Sequence, residues 1–248
     1  MSQTRQQRDW DDLGTLDPLW AVLSAPHGKY GRWDETEFFR TGQLVVDDVM
    51  AAATRLGYPV GRDHALDFGC GVGRLTRSLS AHFQHCTGVD IAPAMIEKAQ
   101  ALNWDYPTCD FCVNPHPDLR LFPSASFDLI CTFRVLQHLP DAKAIQVVLA
   151  DFLRTLRPGG LLVFQLLSDI PPRHRLQMRR RLYNGLRTAG VPARVLHERL
   201  GLAPIRMRFI PEPAVLAFLQ AHGARVLEVQ HDQPANPAIS SRVYYVTT

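Results

Sequence analysis

Two hydrophobic rhythms divide the chain. From Thr36 to Leu56 apolar residues recur at helical spacing (Phe38, Phe39, Val45, Val46, Val49, Met50 and Ala53), and Gly57-Tyr58-Pro59 follows. This predicts an amphipathic helix with a clear stop. Ahead of it, Asp17-Pro18 begins the run Leu19–Leu23, a capping residue followed by proline at the first helical position. Residues 10–60 therefore read as helices and loops. From Ala65 the rhythm changes. Short apolar runs at Ala65–Phe68, Cys86–Val89, Phe111–Val113, Phe127–Thr132 and Leu161–Leu167 predict strands. Between them, Leu75–Phe83, Pro93–Ala101 and Ala142–Leu156 predict helices. Such alternation implies βαβ units, right-handed crossovers and a mostly parallel sheet.

After Leu167 the rhythm breaks at Pro171-Pro172, and a basic, helical stretch runs to about Pro204. The pattern resumes with a helix at Glu212–His222, a strand at Arg225–Gln230, a turn-rich loop at Asp232–Ala238 and a strand at Ser241–Thr247. Two strands joined without a helix predict an antiparallel hairpin at one edge of the sheet. The expected fold class is α/β: a doubly wound seven-stranded sheet, mostly parallel with an antiparallel edge strand. Residues 1–60 would form a helical cap, and 61–248 the main domain with a helical insert at about 168–208.

Composition adds limits. A chain of 248 residues, 46% of them hydrophobic, can bury a core without disulfides or a structural metal. The segment Met1–Asp12 is polar and lacks the apolar stretch of a signal peptide, and no apolar run is long enough to span a bilayer. A soluble cytoplasmic protein with no membrane partner is expected. The five cysteines are odd in number and scattered, as reduced core thiols are. Cys109-x-x-Cys112 invites a zinc reading, but no second pair exists and His116 supplies a third ligand at most, so no metal is expected. The net charge of +3 predicts no partner, but its distribution is uneven. Between Arg173 and Arg208 there are ten arginines, and Glu198 is the one acid.

The most informative segment is Ala65-Leu-Asp-Phe-Gly-Cys-Gly-Val-Gly-Arg-Leu-Thr, a strand that ends in a glycine turn and opens a helix. Glycines permit positive φ and close approach of a ligand, and the helix start offers unpaired N–H groups. A dinucleotide site wants G-x-G-x-x-G, but the third glycine position here is Arg74. Gly69, Gly71 and Gly73, with Asp67 two residues ahead, resemble instead motif I of the class I S-adenosylmethionine-dependent methyltransferases, in their small-molecule branch. Asp90, at the end of the second strand, is placed to accept both ribose hydroxyls of an adenosyl group. Val89–Ile96 is similar to that family's segment after motif I. Ser126–Pro140 resembles its fourth-strand motif and Leu153–Gln165 its turn into the fifth strand, so the likeness covers residues 65–167 in order.

The resemblance implies a Rossmann-like fold and S-adenosyl-L-methionine as cofactor. It implies cofactor contacts from Asp67, Gly69, Cys70, Gly71, Gly73 and Asp90, and from Ile91 packed on the adenine. Met95, Leu119, Phe133 and Trp33 are further expected contacts. Asn114 stands where the family often has an acid that meets the adenine amino group, and an amide carbonyl accepts the same bond.

Methyl transfer from a sulfonium needs alignment and exclusion of water more than a catalytic dyad. His138 is the candidate base and Arg134 a candidate contact to an acidic substrate group. Tyr30, His27 and Trp33 are expected to fold over the site. The arginine-rich insert has three readings: an amphipathic lid or homodimer surface, a pocket for a carboxylate- or phosphate-bearing small molecule, or a nucleic-acid surface. In the lid reading Leu176, Leu182, Tyr183, Leu186, Val191, Val195, Leu196 and Leu200 form one apolar face. The near-neutral total argues against nucleic acid. The expected acceptor is a small molecule methylated on oxygen or nitrogen. The rivals are an RNA or protein methyltransferase docking through the insert, and a non-catalytic binder.

Overall fold

The computed structural model describes residues 4–116, 118–232 and 238–248. The first helices are α1 (Arg5–Leu16), α2 (Pro18–Val22) and α3 (Glu35–Leu56). They are followed by β1 (His64–Phe68), α4 (Arg74–Leu79), β2 (His85–Asp90), α5 (Pro93–Leu102), β3 (Cys109–Val113) and β4 (Phe127–Thr132). Then come α6 (Ala142–Thr155) and the long β5 (Leu156–Asp169). The insert contributes α7 (Pro172–Arg175), α8 (Met178–Thr188) and α9 (Ala193–Glu198). The chain closes with α10 (Glu212–Ala221), β6 (Arg225–Asp232) and β7 (Ser240–Thr247).

The seven strands lie in the order β3-β2-β1-β4-β5-β7-β6. β3, β2, β1, β4 and β5 are mutually parallel, and β7 is antiparallel to both of its neighbours. The expected hairpin is present, with β7 on the inside and β6 outermost. β4 is buried along its whole length because helices cover both faces, which explains its unbroken apolar run. The order turns between β1 and β4, where the crossovers leave for opposite sides. That is the switch point where open α/β sheets leave a crevice beyond the carboxyl ends of their strands.

Local signals account for most helix ends. Asp34 caps α3 by accepting the Glu37 N–H at 2.8 Å, and Gly57 ends it at φ +74°. Asp141 caps α6 through Ala144 N–H at 2.9 Å. The apolar face of α3 joins the sheet in one core: Val46, Val49, Met50 and Ala53 pack with Leu75, Leu79, Leu129 and Val163. The helix expected at Leu75–Phe83 is shorter, and Pro158-Gly159-Gly160 proves to be an irregularity inside β5, where the register against β4 shifts between Phe127 and Leu129. The polar start holds α1, whose cap Thr4 accepts Gln7 N–H at 3.2 Å. The loop expected at Asp232–Ala238 falls mostly outside the described residues.

Only part of the insert's apolar face is buried. Tyr183, Leu196 and Leu202, with Leu186 and Val191, make a small core of their own. Leu176, Leu182 and Leu200 are about half exposed instead. They fall outside the face because α8 and α9 are short and separated by a turn, so one stripe cannot run through both. Several arginines are spent on backbone: Arg175 on Ile170 O, Arg179 on Gly201 O, Arg180 on Pro204 O and Arg208 on Pro140 O. Arg179 and Arg180 tie the irregular return segment of the insert to α8, and Arg208 ties that segment to the turn before α6.

Candidate active site

The turn after β1 is fixed by its backbone. Gly69 N–H and Cys70 N–H both donate to Val89 O, at 2.8 and 3.0 Å, which pins the turn to β2. Asp67 holds the far side: its Oδ2 accepts from Thr76 Oγ1 at 2.7 Å and Thr76 N–H at 3.0 Å. Burial pushes the Asp67 carboxyl up to about 6, and the bonds from Thr76 oppose that rise. Gly69, Gly71 and Gly73 take φ of +74°, +54° and +84°, a region that disfavours side chains. At Gly71 there is a second demand, since a Cβ would lie 2.3 Å from Cγ2 of Val22 in α2.

Asp90 ends β2 beside this turn. Its Oδ2 accepts Gly71 N–H at 3.0 Å and its Oδ1 accepts Ala92 N–H at 2.9 Å. Burial raises its pKa, and these backbone donors oppose the rise. Each oxygen keeps a lone pair for a further donor. Asn114 N–H donates to Asp90 O at 2.7 Å, which brings the end of β3 alongside. The Asn114 amide is already engaged, giving to Asp118 O at 2.6 Å and accepting His116 N–H at 3.3 Å.

The loop after β4 forms the next wall. Arg134 sits at φ +62°, held by its N–H on Gln165 Oε1 at 2.8 Å. A non-glycine residue in this region is strained, and such strain gathers at functional sites. A 3₁₀ turn, Leu136–His138, follows. His138 Nδ1 lies 2.5 Å from Arg206 O, so Nδ1 carries the proton, and the Nε2 lone pair accepts from the Gln137 side-chain amide at 3.4 Å. Desolvation pushes His138 down to about 4, leaving the ring neutral at ordinary pH. Trp10 of α1 packs on it with ring centroids 5.2 Å apart.

These parts enclose one cavity of about 380 Å³, within the range of small-molecule sites. Asp67, Gly69, Cys70, Gly71, Asp90, Ile91, Met95, Asn114 and Phe133 line it, as do Arg134 and His138. Three residues expected at the cofactor lie elsewhere. Gly73 packs against Asn103 and Phe111, where a Cβ would fall 2.7 Å from the Asn103 amide. Leu119 is wholly buried in the sheet core, its N–H on Asp151. Trp33 is buried among Phe38 and His27 and donates to Leu23 O at 3.1 Å. Tyr30 and His27 are likewise absent from the cavity wall. No group of three or more His, Cys, Asp or Glu among the described residues has metal-holding geometry.

Residues that the sequence reading missed close the other side: Thr4, Arg5, Gln6 and Trp10 of the first helix, Ala21 and Val22, and Arg206. The one available signal was Thr4 as a cap followed by Trp10 and Leu13 at helical spacing.

Residues 66–164 match the sequence profile described as a methyltransferase domain. The match runs from β1 into β5 and takes in the glycine turn, Asp90 and the loop after β4, so this stretch is similar to a methyltransferase domain. Among curated proteins, this chain is 36% identical over 155 residues to 2-methyl-6-phytyl-1,4-hydroquinone methyltransferase of Synechocystis, covering 62% of this chain and 47% of that one. It is 33% identical over 107 residues to the ubiquinone biosynthesis O-methyltransferase of Xanthomonas oryzae, covering 43% and 44%. The chain thus spans about half the length of the curated relatives it matches. Its fold is that of the magnesium protoporphyrin IX methyltransferase of Synechocystis solved with bound SAH, at TM-score 0.63 and 18% identity over 97% of both chains. The N-methyltransferase NodS of Bradyrhizobium japonicum, also solved with S-adenosyl-L-homocysteine, gives TM-score 0.60 and 17% identity over 99% of both.

Proposed function

We propose that this protein transfers the methyl group of S-adenosyl-L-methionine to an oxygen or nitrogen of a small molecule. The observation that carries the proposal is the Asp90 carboxylate, bracketed by two backbone donors and facing the cavity beside a left-handed glycine turn. A carboxylate held in this way, with lone pairs to spare, suits a pair of sugar hydroxyls. The names of the relatives, which act on hydroquinone and ubiquinone precursors, support a small-molecule acceptor. The cofactor, when bound, supplies the activated methyl group. Asp90 would hold its sugar, Ile91 and Met95 its apolar faces, and the turn at residues 69–71 its charged end. His138 would take the proton of the acceptor through Nε2, in place of the long bond that this nitrogen accepts from the Gln137 amide, while Arg206 O fixes the ring.

The location that goes with this reading is cytoplasmic. Its support is that all five cysteines are unpaired and that no described helix is long and apolar enough to cross a membrane. Calorimetry with S-adenosylmethionine, S-adenosylhomocysteine and NAD tests the proposal. The first two should bind and the third should not. Binding of NAD in preference to the adenosyl compounds would overturn it.

A further inference from the structure

Arg5, Arg134 and Arg206 line the cavity, and among the described residues none of their side chains makes an ion pair or a hydrogen bond. They come from three separate parts of the chain, the first helix, the loop after β4 and the return segment of the insert. Every other arginine of the insert that touches this region is used on backbone, as Arg180 is on Pro204 O and Arg208 on Pro140 O. Those two still add to the local positive potential, since Arg5, Arg180 and Arg208 all stand close enough to Arg206 to disfavour further charge there. The acids within reach are Asp9 and Asp141. Neither makes an ion pair, and burial raises the Asp9 carboxyl. Five arginines (5, 134, 180, 206 and 208) thus gather at the cavity mouth against two acids, an excess of positive charge whose self-repulsion a bound anion relieves.

The apolar partner of this charge is Trp10. Its ring covers His138, on the same side of the cavity as Arg5 and Gln6. A flat ring and unspent guanidinium groups next to the candidate base make a two-part receptor.

We propose that the methyl acceptor is an anion, a carboxylate or phosphate borne on a small apolar or aromatic body, with Arg5 and Arg206 gripping the anionic group and Trp10 the body. This rests on the methyl-transfer reading above. It places the acceptor's nucleophile toward His138 and its anionic end toward the mouth. It also gives the insert a role: its return segment delivers Arg206 and, through Arg206 O, orients the base.

The test uses the full chain saturated with S-adenosylhomocysteine, titrated with benzoate, phenyl phosphate and the neutral benzyl alcohol. At least one of the two anions should bind about ten-fold or more tightly than the alcohol. The double variant Arg5→Gln/Arg206→Gln should remove that preference and leave the affinities for S-adenosylhomocysteine and benzyl alcohol unchanged. Equal binding of the charged and neutral probes, or no binding of any, overturns the proposal. So does a parallel loss of S-adenosylhomocysteine affinity in the variant, which would assign these arginines to the cofactor. Tighter binding of a single-stranded oligonucleotide than of phenyl phosphate also overturns it, in favour of a nucleic-acid acceptor. Failure of the wild type to bind S-adenosylhomocysteine at all sinks the methyl-transfer reading, and that step is measured first.

Discussion

The two walls of the cavity are made by different means. The wall on the sheet side is backbone: two N–H groups on Val89 O, three left-handed glycines, and carboxylates whose oxygens are occupied by main-chain donors within the same motif. The facing wall is made of side chains from residues 4–22 and 206, and it is held by bonds between distant parts of the sequence. Asp11 caps α5 through Ala94 N–H at 2.8 Å, Gln6 reaches His138 O, and Arg187 meets Asp12 at 3.2 Å. The deepest of these pins is Asp17. It accepts Tyr30 N–H at 2.6 Å, Gly31 N–H at 3.2 Å and His197 Nε2 at 3.2 Å, joining the first helices to α9. A wall set by local backbone geometry is suited to a constant ligand. A wall set by long-range side chains can vary its ligand without disturbing the sheet.

The sharpest test falls where the walls meet. For an acceptor protonated at neutral pH, His138→Ala should lower kcat by about 10²- to 10⁴-fold. Because the ring is held at about 4, the acid limb of the wild-type profile due to this group should lie near there and not near 6.5. A limb at 6.5 that survives the substitution would remove His138 from the chemistry.

Next comes the pin. Asp17→Ala should destabilise the fold by about 3 kcal/mol, the cost of leaving the Tyr30, Gly31 and His197 donors without their acceptor, read as a fall in Tm. Burial pushes the Asp17 carboxyl up, but the bonds from His197, Tyr30 and Gly31 prevail and its pKa is lowered. Its contribution is therefore present above the unfolded carboxylate value near 3.8 and is lost as pH falls through the lower folded value. An unchanged Tm would show that the side-chain wall stands without it.

On the backbone wall, Asp90→Ala should weaken S-adenosylhomocysteine by roughly 1.5–3 kcal/mol, and it should lower Tm as well because the Gly71 and Ala92 N–H groups lose their acceptor. Affinity unchanged in calorimetry would break the ribose assignment. The smallest effect is expected from Arg187→Ala. That pair is partly exposed, so Tm should move by the equivalent of about 0.5 kcal/mol or less. A loss like that of Asp17 would mean the surface pins act together.

The same contrast explains what could be read from the chain. Strand, turn and helix at residues 65–102 follow from short-range rules, and these rules bring Asp67, Gly69, Gly71 and Asp90 to one cavity wall. Gly73 lies off the cavity wall, because the spacing that marks the motif cannot tell a glycine open to the cavity from one pressed on Asn103 and Phe111. Leu119 and Trp33 were misplaced for a related reason: apolar residues near a motif serve the core as readily as a cavity. The side-chain wall was mostly illegible. No local pattern reports that Trp10 will lie on His138, or that Arg206 will arrive beside Arg5.

Position 71 answers to two neighbours at once. Its main chain must curve left to leave room on one side, and on the other it is met by a methyl group of Val22. Any residue larger than hydrogen there would prise the first helices off the sheet as well as spoil the nest for a nucleoside. Drift in the acceptor-facing half is thereby confined: the segment around Val22 can change what it shows to the outside, but its seat on the loop is fixed by an atom that is missing.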